Sequence, residues 1–345
     1  MCAAQPAPWL WRGRAVKLVD GTTVSMPDTE ANQRAFPQSR DQKPGLGFPL
    51  ARLLGIVSLS CGALLEWASG PCEGKHSGES ALLWRLMDKL AAGDVVVADR
   101  CFAGYFAIAR LKQQGIDLLI RQHQRRHTDF RRGARLGRRD HVVSWVRPKR
   151  PGWMDPGTYA GMPASIVMRE VRLAELTLVT TLLDATEVGK QELVALYGKR
   201  WQIELDFRAI KTVMQMDVLR CKCPDMVRKE IAVHLLAYNL VRTVMAQAAC
   251  LAHLLPRQLS FKATLQVLNA FEQNLRFCPR ARLHNSQAIV LGCIAQMVLP
   301  VRPNRVEPRA VKRRPKRLPL LTKPRRLWQQ QLRRQHQQLA ARALR

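Results

Sequence analysis

The sequence predicts an α/β fold in which a mixed sheet carries helices on its faces. Three runs typical of strands come first, at 16–26, 52–60 and 64–69, and a strand–helix–strand unit follows over 95–120. Successive strands usually pair antiparallel, whereas a strand–helix–strand unit adds parallel strands to a sheet. With 345 residues and 47% apolar content, the chain can build one large core or two ordinary ones.

The first strand is predicted over Val16–Val19, ending at Asp20-Gly21, and the run from Thr22 to Met26 continues it after a bend. The strands over 52–60 and 64–69 are separated by a turn at Cys61-Gly62. Bounding turn residues and β-branched content support each assignment.

The strand–helix–strand unit follows a helix whose apolar residues repeat at helical spacing over 82–90. Val95–Ala98 is a continuous apolar run, as expected of a strand buried on both faces, and Asp99 follows it directly. A crossover helix over Gly104–Gly115 then leads to a parallel strand at Asp117–Ile120.

The core is predicted to be discontinuous, formed by residues 1–121 and 176–252. Residues 122–175 interrupt it as a β-rich insertion, because arginines crowd their first half and short alternating runs follow. Long apolar helices are predicted from Asp225 to Leu255 and from Phe261 to Leu275. Residues 253–303 form a C-terminal helical region, and 304–345 form a basic tail with a helical end after Pro324.

Composition indicates a polyanionic partner. The chain has 56 Lys and Arg against 26 Asp and Glu, which gives a formal net charge of +30. Internal ion pairs cannot neutralise that excess, and nucleic acid is the usual partner of such a protein.

The cysteines and the N-terminal residues bear on the compartment. Nine cysteines are scattered without the spacing of a disulfide framework or a zinc site. We therefore expect reduced thiols and a cytoplasmic protein associated with the nucleoid. The sequence shows no signal peptide and no run of about 18 apolar residues that would predict a membrane span.

The most informative motif lies on one predicted helix. Its four residues, Tyr197, Arg200, Glu204 and Lys211, follow one another at steps of 3, 4 and 7 residues. At about 100° per residue, these steps place the four side chains within roughly 60° of one helix face. A carboxylate flanked by cations suits metal-assisted phosphoryl transfer, in which the acid binds Mg²⁺ and the cations bind phosphates.

Two further acids, Asp20 and Asp99, follow apolar strands. Groups at the carboxyl ends of strands meet at the edge where α/β sheets bind ligands, so these acids and Glu204 could converge there. Each acid also has a structural alternative. An Asp at a strand end is often a turn or cap residue, and Glu204 could simply pair with Arg200 or Arg208 on a solvated helix.

Three convergent carboxylates repel one another unless cations lie between them. Two Mg²⁺ ions about 3.5–4 Å apart would neutralise such a site and clamp an in-line displacement at phosphorus. The sequence therefore predicts a two-metal site, in which Mn²⁺ could substitute for Mg²⁺.

These segments resemble those of bacterial DDE transposases of the insertion-sequence type 4 family. The motif of that family, Tyr-(2)-Arg-(3)-Glu-(6)-Lys, is met by the four motif residues without deviation. Val19-Asp20-Gly-Thr-Thr and Val97-Ala-Asp99-Arg-Cys-Phe resemble the segments that carry its first two acids. The resemblance covers nearly the whole chain and implies a ribonuclease H-like core.

The resemblance also implies roles for individual residues. Asp20, Asp99 and Glu204 would be the catalytic, metal-binding triad. Tyr197, Arg200 and Lys211 would contact DNA phosphates at the transposon end.

The predicted insertion supplies further candidates. In the family it carries an aromatic residue near the cleaved strand, a role open here to Trp145 or Trp153, with ordinary packing as the alternative. We also expect phosphate contacts from the arginine cluster over 125–139, including Arg131 and Arg132.

The predicted function is therefore a DNA transposase that cuts double-stranded DNA at insertion-sequence ends and joins it to target DNA, as a homodimer in a synaptic complex. Two alternatives stay open: a metal-dependent nuclease that never joins strands, and a truncated, non-catalytic DNA-binding relic. The relic is considered because only residues 1–15 precede the first strand, where such transposases usually carry a separate helical DNA-binding region.

Overall fold

The computed structural model describes residues 6–74, 77–300 and 320–343. Its strands are β1 Val16–Ser25, β2 Leu50–Ser58, β3 Leu64–Pro71, β4 Val95–Ala98, β5 Asp117–Arg121, β6 Ala134–Gly137, β7 Asp140–Val146, β8 Ser165–Leu173 and β9 Leu176–Thr180. Its α-helices are α1 Glu30–Ala35, α2 Glu79–Trp84, α3 Tyr105–Gln113, α4 Pro156–Ala160, α5 Lys190–Gly198, α6 Gln202–Arg208, α7 Pro224–Leu251, α8 Phe261–Arg276, α9 Arg280–Ala295 and α10 Arg325–Ala343. Short 3₁₀ turns lie between several of them.

In the described part of the chain the strands form one mixed sheet in the order β3-β2-β1-β4-β5-β9-β8-β7-β6. At its centre β4 runs parallel to both β1 and β5, and the remaining neighbours pair antiparallel. With helices packed on both faces, this architecture confirms the predicted α/β fold class, a mixed sheet flanked by helices.

The first strand continues as predicted, but the bend predicted at Asp20-Gly21 is absent. Strand β1 continues to Ser25, because Gly21, Thr22 and Thr23 pair with Leu54, Leu53 and Arg52 of β2. On its other side β1 pairs with β4 only from Val16 to Val19, the partner of Ala98. Asp20 therefore lies in mid-strand, yet at the level where β4 ends.

The strands from residues 122–175 extend the same sheet. Strand β8 pairs with β9, which joins it to β5, and β7 and β6 follow outward. The region is β-rich, as predicted, and the proposed domain boundaries stay predictions.

Apolar residues of β1 alternate between two cores, one on each face of the sheet. Leu18 packs in the core that also contains Ile203 and Phe207 of α6, together with much of α7. Val19 packs in the opposite core, with Leu82 and Leu83 of α2. Because side chains alternate along a strand, Asp20 faces the α6 side and Gly21 faces the α2 side.

The helix predicted for the four motif residues is irregular. After α5 the chain forms a 3₁₀ turn at Lys199–Trp201, then α6, then a π-helical turn at Ala209–Val213. A π turn carries an extra residue, so Lys211 does not follow the regular 100° spacing of the prediction. The chain is nevertheless helical throughout the segment from Lys190 to Val213.

The C-terminal helices agree with the sequence pattern. Helices α7 and α8 match the two long predicted helices within a few residues, and α10 is the helical end expected after Pro324. Helix α9 lies within the helical region predicted over 253–303, although the sequence pattern does not define it as a separate helix. Most of the remaining basic tail, residues 304–319, lies outside the described residues.

The described residues contain neither a disulfide bond nor a helix able to cross a membrane. Their eight cysteines are all free thiols, and Cys2 lies outside the described ranges. None of the helices there combines the length and apolar character that crossing a membrane requires.

Candidate active site

The two strand aspartates meet at the end of the β1–β4 pair. Asp20 lies one residue past the last β1–β4 pairing, and Asp99 is the residue after β4. Asp99 caps a 3₁₀ turn, because its Oδ1 accepts the N–H of Cys101 at 2.7 Å. Asp20 Oδ1 accepts the N–H of Gly21 at 2.8 Å. Asp99 thus does act as a cap residue, while staying within electrostatic reach of Asp20.

Arg200 joins the first predicted acid to the third. Its guanidinium donates to Asp20 Oδ2 at 3.0 Å and to Glu204 Oε1 at 2.8 Å. The second of these is the helical pair expected from Glu204 as an ordinary surface residue. The first is a contact across 180 residues of sequence, and it places Glu204 beside β1.

An open cleft lies at this position. It is lined by Asp20, Gly21, Thr22, Glu204, Phe207, Arg208, Lys211 and Thr212. Lys211 Nζ donates to Thr22 Oγ1 at 3.2 Å, which fixes the lysine over β1 despite the π turn. Three of the four motif residues, Arg200, Glu204 and Lys211, thus contact or face the strand that carries Asp20.

The surroundings of Asp20 raise its affinity for protons. Burial raises the pKa of Asp20 to about 6, and the charges of Asp99 and Glu79 act in the same direction. The Gly21 N–H and the Arg200 guanidinium oppose that rise in pKa. A half-buried carboxylate with other carboxylates nearby is an environment that favours a bound cation.

Tyr197, the first motif residue, is half-buried behind these acids. Burial raises the pKa of its phenol, Arg200 lowers it, and the charge of Asp99 raises it. The tyrosine is therefore close enough to both Arg200 and Asp99 to sense their charges, which places all four motif residues and both aspartates in one neighbourhood.

The residues of this neighbourhood suit a metal ion by the type of their ligand atoms and not by their spacing. Among the described residues, no three His, Cys, Asp or Glu side chains lie close enough together to hold an ion. The positive charge between Asp20 and Glu204 is supplied by Arg200 instead. The donors are nevertheless carboxylate oxygens, the ligands that Mg²⁺ prefers.

Trp145 occupies a packing position. Its side chain is 2% exposed, its Nε1 donates to Glu170 at 2.8 Å, and Arg126 covers its ring at 3.7 Å. In this conformation the indole cannot touch DNA, as the packing alternative anticipated. Trp153 is 51% exposed and makes edge contacts with Trp84 and Phe106.

Arg131 and Arg132 have the exposure that phosphate contact requires. Their side chains are 90% and 81% exposed, and both lie near the single carboxylate of Asp129. One carboxylate cannot neutralise two guanidinium groups, so this loop keeps a net positive charge.

Glu79 is a residue of the site that the sequence pattern did not indicate. It begins α2, and its charge is sensed by Asp20. It matches no motif and follows no strand, so only the packing of α2 against β2 and β3 brings its side chain beside Gly21 of β1.

Comparison with known proteins identifies the family of the chain. The sequence model of the family described as "Transposase DDE domain" matches residues 11–240. The chain therefore belongs to the transposases that carry a DDE domain.

One relative places the chain more narrowly within these transposases. The chain is 30% identical over 335 residues to "Transposase InsG for insertion sequence element IS4" of Escherichia coli (strain K12), which covers 93% of this chain and 72% of that protein. This likeness confirms the resemblance to the insertion-sequence type 4 family.

More distant similarities were also found. A segment of 64 residues is 36% identical to "Transposase for insertion sequence element IS421" of Escherichia coli, covering 19% of this chain and 17% of that one. A solved piggyBac transposase synaptic complex with hairpin DNA aligns with a TM-score of 0.47 at 8% identity, over 85% of this chain and 60% of that chain.

Proposed function

We propose that this transposase cuts DNA at the ends of its insertion sequence and joins the freed ends to target DNA, with Asp20, Asp99 and Glu204 as the catalytic acids. The observation that carries the proposal is the Arg200 bridge, which ties Asp20 on β1 to Glu204 on α6 at the sheet edge where Asp99 also lies. Metal-assisted phosphodiester chemistry requires acids from different elements to be brought near one another.

Divalent ions complete the proposed site. Asp20 and Asp99 would share two Mg²⁺ ions, Glu204 would hold one, and Mn²⁺ would substitute. When bound, such ions supply an activated water and stabilise the charge that develops at phosphorus.

The cations around the acids are proposed to hold the DNA. Lys211 and Arg208 lie in the cleft beside Glu204, where a phosphate of the bound strand would be in reach. Arg200 already makes two charged hydrogen bonds, so contact with a phosphate requires its guanidinium to exchange at least one carboxylate for it. Tyr197, in the last turn of α5, would also contact that phosphate.

The larger DNA surface is proposed to include the exposed arginines of the loop before β6. Arg131 and Arg132 extend the positive charge away from the cleft, and the net charge of +30 supports binding along the DNA backbone. Because an insertion sequence has two ends, we expect two copies of the chain to act together in a synaptic homodimer.

The substitution Glu204→Gln tests the assignment. It removes one carboxylate charge while keeping the size of the side chain. We therefore expect the cleavage rate of a DNA duplex that carries an insertion-sequence end, measured with Mg²⁺, to fall by at least about 10³-fold. Duplex binding, measured at the same salt concentration, should stay within about threefold because most phosphate contacts are unchanged.

The matched control is Glu187→Gln, an exposed glutamate in the turn before α5. It should cleave as the wild type does. Wild-type cleavage by the Glu204→Gln variant would contradict the assignment. An assay that follows both cut ends and joined product separates transposition from simple nuclease action.

A further inference from the structure

We propose that His141 and Glu170 are positioning residues for DNA binding, because a proton that they share holds the loop of residues 123–133, the arginine loop, against the sheet. This inference rests on the proposed function, in which Arg131 and Arg132 of the arginine loop contact DNA phosphates. It assigns a role to a buried pair of ionisable side chains that takes no part in the candidate active site.

The pair lies buried between two neighbouring strands. His141 of β7 and Glu170 of β8 are direct cross-strand partners, and they are 1% and 4% exposed. Glu170 Oε1 accepts the Nε1–H of Trp145 at 2.8 Å, and its Oε2 lies 3.2 Å from His141 Nε2. His141 Nδ1 lies 2.6 Å from the carbonyl oxygen of Arg132. Each nitrogen and oxygen of the two side chains therefore has a partner.

These contacts need one proton more than a neutral histidine and a carboxylate supply. The carbonyl of Arg132 can only accept, so the hydrogen bond to it takes the ring proton on Nδ1 of His141. In a neutral imidazole the Nε2 lone pair would then lie against the carboxylate of Glu170. A second proton replaces this repulsion with a charged hydrogen bond, and imidazole takes it because imidazole is a stronger base than a carboxylate. The geometry therefore favours an imidazolium–carboxylate pair.

The arginine loop is attached to the sheet through this pair and the neighbouring Trp145. The carbonyl of Arg132 accepts from His141, and the ring of Phe130 lies 4.8 Å from the His141 ring. Nearer the start of the loop, the guanidinium of Arg126 covers the Trp145 ring at 3.7 Å. Loss of the shared proton would set two acceptors against each other beneath these contacts, so we expect it to release the loop.

The attached loop still offers its charges to DNA. At its end Gly133 has a φ of +77°, and a Cβ there would overlap the carbonyl oxygen of Val142 in β7. The backbone is thus pressed against the sheet, while the side chains of Arg131 and Arg132 remain exposed. A fixed backbone with free guanidinium groups lowers the entropy lost when both arginines bind phosphates.

Glu170 alone offsets the positive charges around His141. Three arginines share this face of the sheet: Arg126 over Trp145, Arg135 as the partner of His141 on β6, and Arg172 of β8 at 5.2 Å from the Phe130 ring. They favour the charged carboxylate and disfavour the imidazolium, so the proton lost as the pH rises is that of His141. The ion pair of the adjacent strand residues, Asp140 and Arg169, lies on the opposite face.

The test follows the affinity of the full chain for a random-sequence DNA duplex from pH 6 to pH 9, measured by fluorescence anisotropy. In Glu170→Gln, the amide can accept from Trp145 and donate to a neutral His141, so the loop stays attached without the extra proton. The wild type should therefore lose about 10-fold more affinity than Glu170→Gln over this range, since two phosphate contacts are worth about that factor at about 0.2 M salt.

Two further variants make the outcome specific. Glu175→Gln removes an exposed carboxylate in the turn between β8 and β9, and it should follow the wild-type pH profile. The double variant Arg131→Gln/Arg132→Gln tests the proposed function itself and should weaken binding at pH 6 by about 10-fold. Adding Glu170→Gln to that double variant should leave its pH profile unchanged, because the pair acts through these arginines.

The two possible failures are distinguishable. If Arg131→Gln/Arg132→Gln binds DNA as the wild type does, the proposed DNA contact of the loop fails. If that variant binds weakly but Glu170→Gln keeps the wild-type pH profile, the role of the pair is overturned and the DNA contact stands. Nitrogen NMR of the free chain, with ¹⁵N-labelled histidine, should show both ring nitrogens of His141 protonated at pH 6. A neutral ring there would overturn the role of the pair whatever the DNA affinity.

Discussion

At the scale of single residues, Asp20 carries a carboxylate whose negative charge the folded protein disfavours. It is largely buried near Asp99 and Glu79, and Arg200 compensates only part of the repulsion. Its pKa is raised from 3.8 to about 6. The charged form of Asp20 is therefore less favourable in the folded protein than in the unfolded chain.

This has a direct consequence for stability. A carboxylate whose pKa is higher in the folded state favours folding below pH 4, and that contribution is lost as the pH rises through about 6. A rise in pKa of this size corresponds to about 3 kcal/mol at most. We therefore predict that Asp20→Asn raises the free energy of unfolding by about 1–3 kcal/mol at pH 7.5 in a chelating buffer.

Urea denaturation of both proteins at pH 7.5 and pH 4 checks this prediction. The gain should shrink towards zero at pH 4, where Asp20 is protonated in the folded wild type. A variant less stable than the wild type at pH 7.5 would show that Arg200 more than offsets burial.

At the scale of secondary-structure elements, α6 is held by an acid that faces away from the cleft. Asp206 is fully buried, and its Oδ1 accepts hydrogen bonds from Arg242 at 2.6 Å, Arg257 at 2.8 Å and Tyr238 at 3.0 Å. Arg257 also donates to the carbonyls of Ser58 and Leu59 at the end of β2. This network ties α6 to α7 and to the sheet, with Glu204 on the other side of the same short helix.

Loss of the Asp206 charge should therefore be severe. The substitution Asp206→Asn leaves two guanidinium groups buried without an anion, and we predict a loss of about 3–5 kcal/mol in the free energy of unfolding. Chemical denaturation measures it. Asp225→Asn is the matched control, because Asp225 pairs with Arg228 at an 89% exposed position and its loss should cost under about 0.5 kcal/mol. Equal effects of the two substitutions would rule out a structural role for the network.

At the scale of the whole molecule, sequence pattern predicted the elements with strong periodicity. The apolar run of β4 and the crossover to β5 define the parallel centre of the sheet, and the long apolar repeat of α7 gave that helix within a few residues. The motif residues could be placed at one site because strand ends and helix faces follow simple geometry.

Other features depend on tertiary contacts that no local pattern encodes. Strand β1 continues through Asp20 because β2 pairs with it, although Gly21 reads as a turn residue. Trp145 is buried by Glu170 and Arg126, which come from distant positions in the chain. Glu79 joins the site only through the packing of α2 against β2 and β3, which brings its side chain beside a glycine of β1.

The charge of the whole molecule sets the context in which this site works. A net charge of +30 favours binding along the DNA backbone, and the three acids are negative groups within that basic chain. Bound divalent ions would offset the electrostatic repulsion between the carboxylates of the site and the phosphates of DNA.

The most direct test of this account is the anomalous diffraction signal of Mn²⁺ in crystals of the protein grown or soaked with the ion. The account predicts an anomalous peak within about 2.0–2.6 Å of carboxylate oxygens of both Asp20 and Asp99, at the end of β4. Saturating Mn²⁺ with no peak at that edge, or with peaks confined to other acids, would contradict it.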